Sequence, residues 1–355
     1  MNKYMVVMAG GGGVRFWPLS RVCLPKQFLT LSGQDAMINE TVTRAASLFS
    51  PGSTYIVTGK NQQAAMERVL LSDIPKQNIL YEPEPKNTAP CILYAALHIQ
   101  KKHGDGVMCV FSADHHITDT AAFLRVLNTA IQAAESGKAV TIGIKPTFPS
   151  IGYGYIKRGE KDGDTGAYQL DKFVEKPDAD TARRYVDSGA YFWNSGMFVW
   201  KVSAVIDLYK RYLPDMYAVF MAEWDRFAAP DEECAVGALY PKLNSISVDY
   251  GIMEHVRDAL VVSGDFGWSD IGSWDTLGDV VAPDALGNVV KGTFTGIDAG
   301  SNIIYAKDKL VTAVGVSNLI IIDTGDALLV CARDRAQEVK NLVDKLKENG
   351  FTQYL

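Results

Sequence analysis

Apolar positions along this chain fall into two alternating patterns: short unbroken β-rich runs, and longer stretches with helical spacing. The first run, Tyr4-Met5-Val6-Val7-Met8-Ala9, predicts a strand buried on both faces, and it leads straight into the glycines Gly10 to Gly13. Thr54 to Thr58 predicts a second strand and Gln62 to Leu71 an amphipathic helix. Asn87-Thr88-Ala89-Pro90 joins a capping side chain to a proline in a first turn, so a helix is expected to run to about His103 and stop at Gly104. Val107 to Ser112 predicts a strand ending at Ala113-Asp114, Ala121 to Ser136 a helix closed by Gly137, and Ala139 to Ile144 a further strand. Such alternation implies an α/β fold built on a doubly wound mixed, mostly parallel sheet. Ligands of these sheets bind beyond the carboxyl ends of the strands, which puts Gly10–Arg15 and Asp114 on one rim.

After Pro283 the pattern changes. Asn288-Val289-Val290, Asn302 to Tyr305, Leu319 to Ile322 and Leu328 to Val330 are short β-rich runs separated by Gly, Asn and Asp, with no clear helix between them. They predict a small all-β unit, a short solenoid resembling a β-helix, closed by an amphipathic helix over Arg335 to Glu348. The expected division is residues 1–282 for the α/β domain and 283–355 for the β-rich one.

The chain is 355 residues long, which favours one large domain with a smaller companion, and its 47% hydrophobic content suffices for a sizeable core. A formal net charge of −6 argues against a nucleic-acid binder but leaves room for a small phosphorylated ligand held by a few local cations. The five cysteines are irregularly spaced without a CxxC pair, so neither a disulfide framework nor a zinc site is expected, and a reducing cytoplasm is the default. No apolar run approaches ~20 residues and no signal-peptide pattern opens the chain, so no membrane association is expected.

Chemistry concentrates first in Gly10-Gly11-Gly12-Gly13-Val14-Arg15-Phe16-Trp17-Pro18-Leu19-Ser20-Arg21, followed by Pro25-Lys26-Gln27. Glycines let backbone N–H groups approach a phosphate closely. The spacing fits neither a dinucleotide fingerprint, which would need Gly where Arg15 stands, nor a Walker loop, which would need Gly-Lys-Ser/Thr where Arg15-Phe16-Trp17 stands. The loop instead carries its own guanidinium and ammonium, which suit a polyphosphate leaving group. A plain strand-to-helix turn with surface cations is the simpler alternative for a bare glycine run.

The loop resembles the signature loop of the sugar-nucleotide pyrophosphorylases, and its Trp-Pro-Leu-Ser-Arg form is most similar to the GDP-mannose pyrophosphorylase branch. Further matches follow in order: Glu84-Pro85-Lys86-Asn87-Thr88-Ala89-Pro90, Ser112-Ala113-Asp114-His115, Gly152-Tyr153-Gly154-Tyr155-Ile156, Phe173-Val174-Glu175-Lys176-Pro177, Trp193-Asn194-Ser195-Gly196-Met197-Phe198 and Trp268-Ser269-Asp270-Ile271-Gly272-Ser273-Trp274. Each is weak alone; in this order they are specific. Val14 departs from the family's usual Ser or Thr and Phe16 from its usual Leu, so one hydroxyl contact to phosphate is in doubt.

The resemblance implies a nucleotidyltransferase that joins GTP to mannose 1-phosphate and releases pyrophosphate. It implies that Asp114 and Asp270 hold Mg²⁺, a hard cation suited to carboxylate oxygens. Arg15 and Lys26 would face the pyrophosphate and Gly10, Gly11, Gly13 and Ser112 the triphosphate. Asn87, Thr88 and the backbone around Glu84 would face the base. Glu175 would bind sugar hydroxyls, Lys176 the sugar phosphate, and Asn194 the sugar, with Gly152 and Tyr153 as a lid. Structural alternatives stay open for each: a turn-capping aspartate, an exposed Glu175-Lys176 pair, a turn Asn194, and helix capping by Asn87. Other nucleotide and hexose phosphate pairs, or a subunit that senses sugar nucleotides without turnover, are the rival functions. Some family members carry an additional sugar-isomerase domain; with the chain ending at Leu355, a single activity is expected. The apolar β tail suggests a homodimer.

Overall fold

In the computed structural model, which describes every residue except Ser32, Ser72 and Asp164, the first half of the chain alternates as the periodicity predicts. β1 (Lys3–Met8), α1 (Met37–Ala45), β2 (Thr54–Gly59), α2 (Gln63–Val69), β3 (Ile79–Glu82), α3 (Thr88–His103), β4 (Val107–Ser112), β5 (His116–Ile117), α4 (Thr120–Ala134) and β6 (Ala139–Ile144) follow in turn. β7 (Tyr155–Lys161), β8 (Ala167–Val174), α5 (Ala179–Ser188) and β9 (Tyr191–Lys201) lead into the helices α6 (Val202–Tyr212), α7 (Pro214–Met221) and α8 (Glu232–Leu239). β10 (Ala259–Gly264) and β11 (Trp268–Ser269) complete the α/β part.

Nine strands form one sheet in the order β3-β2-β1-β4-β9-β6-β10-β8-β7. β8 and β9 run against the other seven, so the sheet is mixed and mostly parallel. Successive residues of a strand serve opposite faces. Val6, Val57, Met108 and Val110 pack with α3, α6, α7 and α8, while Met5, Val7, Ile56, Cys109 and Phe111 pack with α1, α2 and α4. Covering both faces makes β1 the buried run its sequence announces, each such side chain contributing about 1.5–3 kcal/mol.

Asn87 caps α3 by accepting a hydrogen bond from the Thr88 N–H at 2.9 Å, Pro90 lies in the first turn, and Gly104 ends the helix at φ 80°. The helix expected over Gln62 to Leu71 is shorter, because a 3₁₀ turn over residues 60–62 precedes it. Gln62 is drawn out of the helical register by its side chain, which accepts hydrogen bonds from Gln27 and Thr58.

The C-terminal unit holds β12 (Val289–Ile297), β13 (Ile303–Val314), β14 (Leu319–Asp323) and β15 (Leu328–Ala332) in one sheet, then α9 (Val339–Glu348). β12 and β13 are longer than their short apolar cores suggested. The first three strands stack parallel, with Val289 beside Ile303 and Ile303 beside Ile320. Two buried asparagines tie these layers: Asn302 donates to the Asn288 side-chain carbonyl at 3.1 Å and accepts from the Leu319 N–H at 2.9 Å. The helix expected from Arg335 starts later, after a 3₁₀ segment over residues 333–338.

This unit grips the N-terminal loop. Ile303, Ile320, Val339 and Val343 share a buried cluster with Phe16, Trp17, Ile271 and Trp274. Arg21 reaches both Asp326 carboxylate oxygens at 3.0 and 2.9 Å, and the Trp17 indole donates to the Tyr354 carbonyl at 2.8 Å.

Candidate active site

The carboxyl ends of β1 and β4 meet at the glycine loop. Gln27, buried behind it, donates to the carbonyls of Ala9 at 2.6 Å and Gly11 at 3.0 Å, which fixes the loop against the strand end. A cavity of about 380 Å³ opens there, lined by Gly10, Gly11, Gly12, Glu82, Asn87, Thr88, Ser112 and Asp114 among others. A second, of about 400 Å³, adjoins it through the shared Ser112 and Asp114 and adds Gly13, Arg15, Lys26, His115 and Asp270. Gly13 is held at φ +55°, and a Cβ there would stand 2.4 Å from the Lys26 Cβ and 2.6 Å from its nitrogen. Gly13→Ala is therefore expected to displace Lys26 and to cost about 1–3 kcal/mol in urea unfolding. A change below about 0.5 kcal/mol would contradict this packing.

Lys26 bridges the two acidic positions. Its buried Nζ donates to Asp114 Oδ2 at 2.9 Å and to the Asp270 carbonyl at 2.5 Å. Ser112 donates to the other Asp114 oxygen at 2.9 Å, and the Tyr153 hydroxyl donates to Asp270 Oδ1 at 2.8 Å. Burial pushes the Asp114 carboxyl up, but the charges of Lys26 and His115 and the hydrogen bonds from Lys26 and Ser112 outweigh it and hold the group at about 2. Asp114 is thus a carboxylate across the working pH range. Burial lowers the His115 imidazole, against the charges of Asp114 and Asp270, which raise it. Among the described residues no cluster of three or more His, Cys, Asp and Glu side chains could hold a metal. The donor set here is the carboxylates of Asp114 and Asp270, which line the same cavity; two such oxygen donors fit a hard cation that keeps water and phosphate oxygens as its other ligands.

A second cluster lies across Tyr153. Asn194 in β9 donates to Asp249 at 2.8 Å, Lys176 donates to Glu175 at 2.5 Å, and Glu254 accepts from the Glu175 backbone N–H at 3.2 Å. A Cβ on Gly154 would come within 2.3 Å of Glu175 Oε2, a buried oxygen without a hydrogen-bond partner among the described residues, so only glycine lets that carboxylate sit here. Burial, with the nearby Glu175 charge, raises the Asp249 carboxyl to about 6. Asn87, Lys176 and Ile271 all adopt positive φ, and each adjoins one of these clusters. Non-glycine residues held there cost about 1–3 kcal/mol, a strain that collects at functional sites.

The structure brings together Gly10, Gly11, Gly13, Arg15, Lys26, Asn87, Thr88, Ser112, Asp114 and Asp270 around the two cavities, and Tyr153, Glu175, Lys176 and Asn194 beside them. Gly152 stands in the turn before β7. The backbone around Glu84 borders the first cavity through Pro85 and Lys86; the Glu84 carboxylate itself pairs with Lys86 at 3.2 Å, and Glu82, at the end of β3, is a lining carboxylate that the sequence reading did not name. A carboxylate at a strand's carboxyl end was a signal the sequence offered. Asp249 had no such signal, since it sits in a π-helical turn over residues 249–253. Asn194 is not in a turn: β9 runs through it with a bulge opposite β6, and Gly196 takes φ 69°. Phe16, the departure from the family's leucine, fills the space against Trp274 at a ring separation of 5.1 Å.

A glycine loop and Asp114 at the carboxyl ends of a largely parallel sheet, joined in one cavity by Asp270 from the loop after β11, form the kind of pocket in which α/β nucleotide-binding proteins hold their ligands. Similarity to known proteins agrees. The family model described as "Nucleotidyl transferase" matches residues 4–285, and one described as "MannoseP isomerase/GMP-like beta-helix domain" matches 279–346. The chain belongs to the nucleotidyl transferase family and, within it, to the mannose-1-phosphate guanylyltransferases. It is 40% identical to the mannose-1-phosphate guanylyltransferase RfbM of Salmonella typhimurium, over 100% of this chain and 74% of that protein. It is also 40% identical to a mannose-1-phosphate guanylyltransferase of Escherichia coli K12, over 98% and 74%. A crystal structure from Thermus thermophilus, described as a mannose-1-phosphate geranyltransferase, is 34% identical with a TM-score of 0.88, covering 98% of this chain and 100% of that one. Helicobacter pylori mannose-6-phosphate isomerase, at 24% identity and a TM-score of 0.60, shares the fold over 75% of this chain.

Proposed function

We propose that this protein transfers GMP from GTP to mannose 1-phosphate, giving GDP-mannose and pyrophosphate. The observation that carries the proposal is the Asp114–Lys26–Asp270 bridge beside the glycine loop, in a chain 40% identical throughout to named guanylyltransferases. A sugar phosphate oxygen attacks the α-phosphorus of GTP in line. The new P–O bond forms as the bond to the β-phosphate oxygen breaks, and pyrophosphate leaves. The attacking monoester is already ionised, its second pKa lying near ~6, so no general base is needed. The chain's task is positioning and charge neutralisation. Asp114 and Asp270 would hold Mg²⁺, which when bound supplies Lewis-acid stabilisation of phosphoryl charge. Arg15 meets the leaving group, Lys26 keeps Asp114 ionised, and Lys176 offsets repulsion between the two anions. Glu175, Asn194 and Asp249 offer hydrogen-bond acceptors and a donor to sugar hydroxyls, with Gly152 and Tyr153 above them. The proposal includes action in a reducing cytoplasm, fitting the five free cysteines, and a homodimer formed through exposed apolar residues of the C-terminal sheet such as Ile297 and its neighbour Val314.

The test is pyrophosphate release with Mg²⁺, crossing GTP, UTP, dTTP and ATP against mannose 1-phosphate and glucose 1-phosphate. Release confined to GTP with mannose 1-phosphate is expected. A different productive pair would overturn the substrates and keep the chemistry; silence from folded protein would favour a non-catalytic sensor.

Guanine presents two adjacent N–H donors, and Glu82 is a carboxylate of the first cavity that could take both. Burial raises its carboxyl to about 7, against a hydrogen bond from Tyr240 that lowers it. The unfolded carboxyl titrates near ~4.3. Between those values the folded protein keeps a proton the unfolded chain has lost, so stability falls as pH rises through that window. Glu82→Gln is expected to gain about 2 kcal/mol over the parent at pH 8 and little at pH 4. It should also raise the GTP KM about 100-fold, since a carboxamide offers one acceptor where the base brings two donors. Parallel pH–melting curves for the two proteins would contradict the first effect, and an unchanged KM the second.

A further inference from the structure

The C-terminal unit does more than brace the glycine loop. The cavity that holds Arg15, Lys26, Asp114 and Asp270 is also lined by Lys340, in the first turn of α9. We propose that Lys340 is a pyrophosphate-binding residue, so that the β-rich unit completes the nucleotide site.

Three observations carry this. The first is the position, which local packing fixes. Val339 and Val343 are buried with Phe16, Trp17 and Trp274, and Gln337 donates to the Ser273 hydroxyl at 2.6 Å, three residues from Asp270. α9 is therefore seated against the very segments that carry Arg15 and Asp270, with Lys340 on its exposed side, next to a buried neighbour.

The second is the state of the other cations. Lys26 is committed: its ammonium already serves Asp114 and the Asp270 carbonyl. Among the described contacts neither Arg15 nor Lys340 has an acidic partner, although the rest of the surface pairs many of its lysines and arginines. A cation standing without a counter-ion beside a glycine loop is placed for an incoming anion.

The third is the local charge. Arg15 and Lys26 only balance the two carboxylates Asp114 and Asp270. Lys340 tips the protein's own charge in this cavity to positive, the sign a polyphosphate requires. An ammonium on a flexible stem suits this task, since it can follow pyrophosphate as the bond to the α-phosphorus breaks.

This inference rests on the proposed transfer reaction for its place in catalysis, but its test does not. Binding of inorganic pyrophosphate to the 355-residue chain would be measured by calorimetry for the parent, Lys340→Ala, Lys340→Glu and Lys340→Arg, with Lys347→Glu on the same helix as a control for net charge. The pyrophosphate KM in the reverse reaction, the mannose 1-phosphate KM and the melting temperature would be followed in parallel. Lys340→Ala is expected to weaken pyrophosphate about tenfold and Lys340→Glu further, with Lys340→Arg near the parent and Lys347→Glu, the sugar KM and the melting temperature unchanged. Parent-like pyrophosphate affinity in Lys340→Glu, a loss matched by Lys347→Glu, or no pyrophosphate binding by the parent overturns the proposal. Turnover that ignores Lys340 defeats this inference alone; Lys340-dependent pyrophosphate binding in a protein without turnover defeats the proposed reaction alone.

Discussion

Asp114→Ala is expected to lower kcat for pyrophosphate release by about three orders of magnitude, or about 4 kcal/mol of transition-state stabilisation. The size follows from how many interactions converge on this carboxylate. It receives Lys26 at 2.9 Å and Ser112 at 2.9 Å, and it is held at about 2, so it presents a full negative charge at neutral pH. Removing it takes away one of the two proposed cation ligands and leaves the buried Lys26 ammonium with the Asp270 carbonyl and the Phe16 ring but without its carboxylate. Asp114→Asn keeps the volume and one acceptor while removing the charge, so it separates electrostatics from packing; the loss in kcat should be of similar size. Rapid-quench measurement of GDP-mannose formation, with melting temperatures to confirm folding, decides the matter. Turnover within a few-fold of the parent in either variant would remove Asp114 from the reaction.

Lys26→Met should be nearly as damaging to turnover, and it adds a pH signature. In the parent, the Asp114 carboxyl titrates below its unfolded value of ~3.9. A depressed acid contributes stability that is present above the unfolded value and is lost as pH falls toward the folded one. Because Asp114 is about one third exposed, solvent screening limits that contribution to roughly 1 kcal/mol. Without the ammonium, burial becomes the dominant influence and the carboxyl moves up, above its ordinary range. The sign of the linkage then reverses: the variant gains relative stability as pH drops and loses it as Asp114 is forced to ionise. Thermal unfolding from pH 3 to 8 with EDTA present, run beside the parent, should show melting curves that converge at acid pH and separate as pH rises. Curves separated by a constant amount would mean that Lys26 acts through packing alone.

Most of the scaffold was legible because its causes are local. The apolar runs at residues 4–9, 107–112 and 139–144 became strands with nearly those bounds, since side chains buried on both faces of a strand must be apolar without interruption. α3 was readable at both ends because Asn87, Pro90 and Gly104 act within a single turn. The placing of the glycine loop and Asp114 on one rim was legible because both follow strands that the apolar pattern predicts, whereas Asp270 was singled out by the family resemblance alone.

Residues joined only across long separations were not readable. Lys26 bonds to Asp114 across 88 positions and to Asp270 across 244, so its bridging role depends on how three loops converge. Glu82 was not singled out, because its place in the first cavity and its hydrogen bond from the buried Tyr240 join residues 158 positions apart. Asp249 met Asn194 only once its π-helical turn was folded against β9. Lys340 looked like one charge among several on an amphipathic helix until the β-rich unit docked. Sequence alone determined which residues this protein has for chemistry and the strand ends that present many of them. Tertiary structure decided which charges face one another, because charge pairing and burial depend on distances that local spacing does not encode.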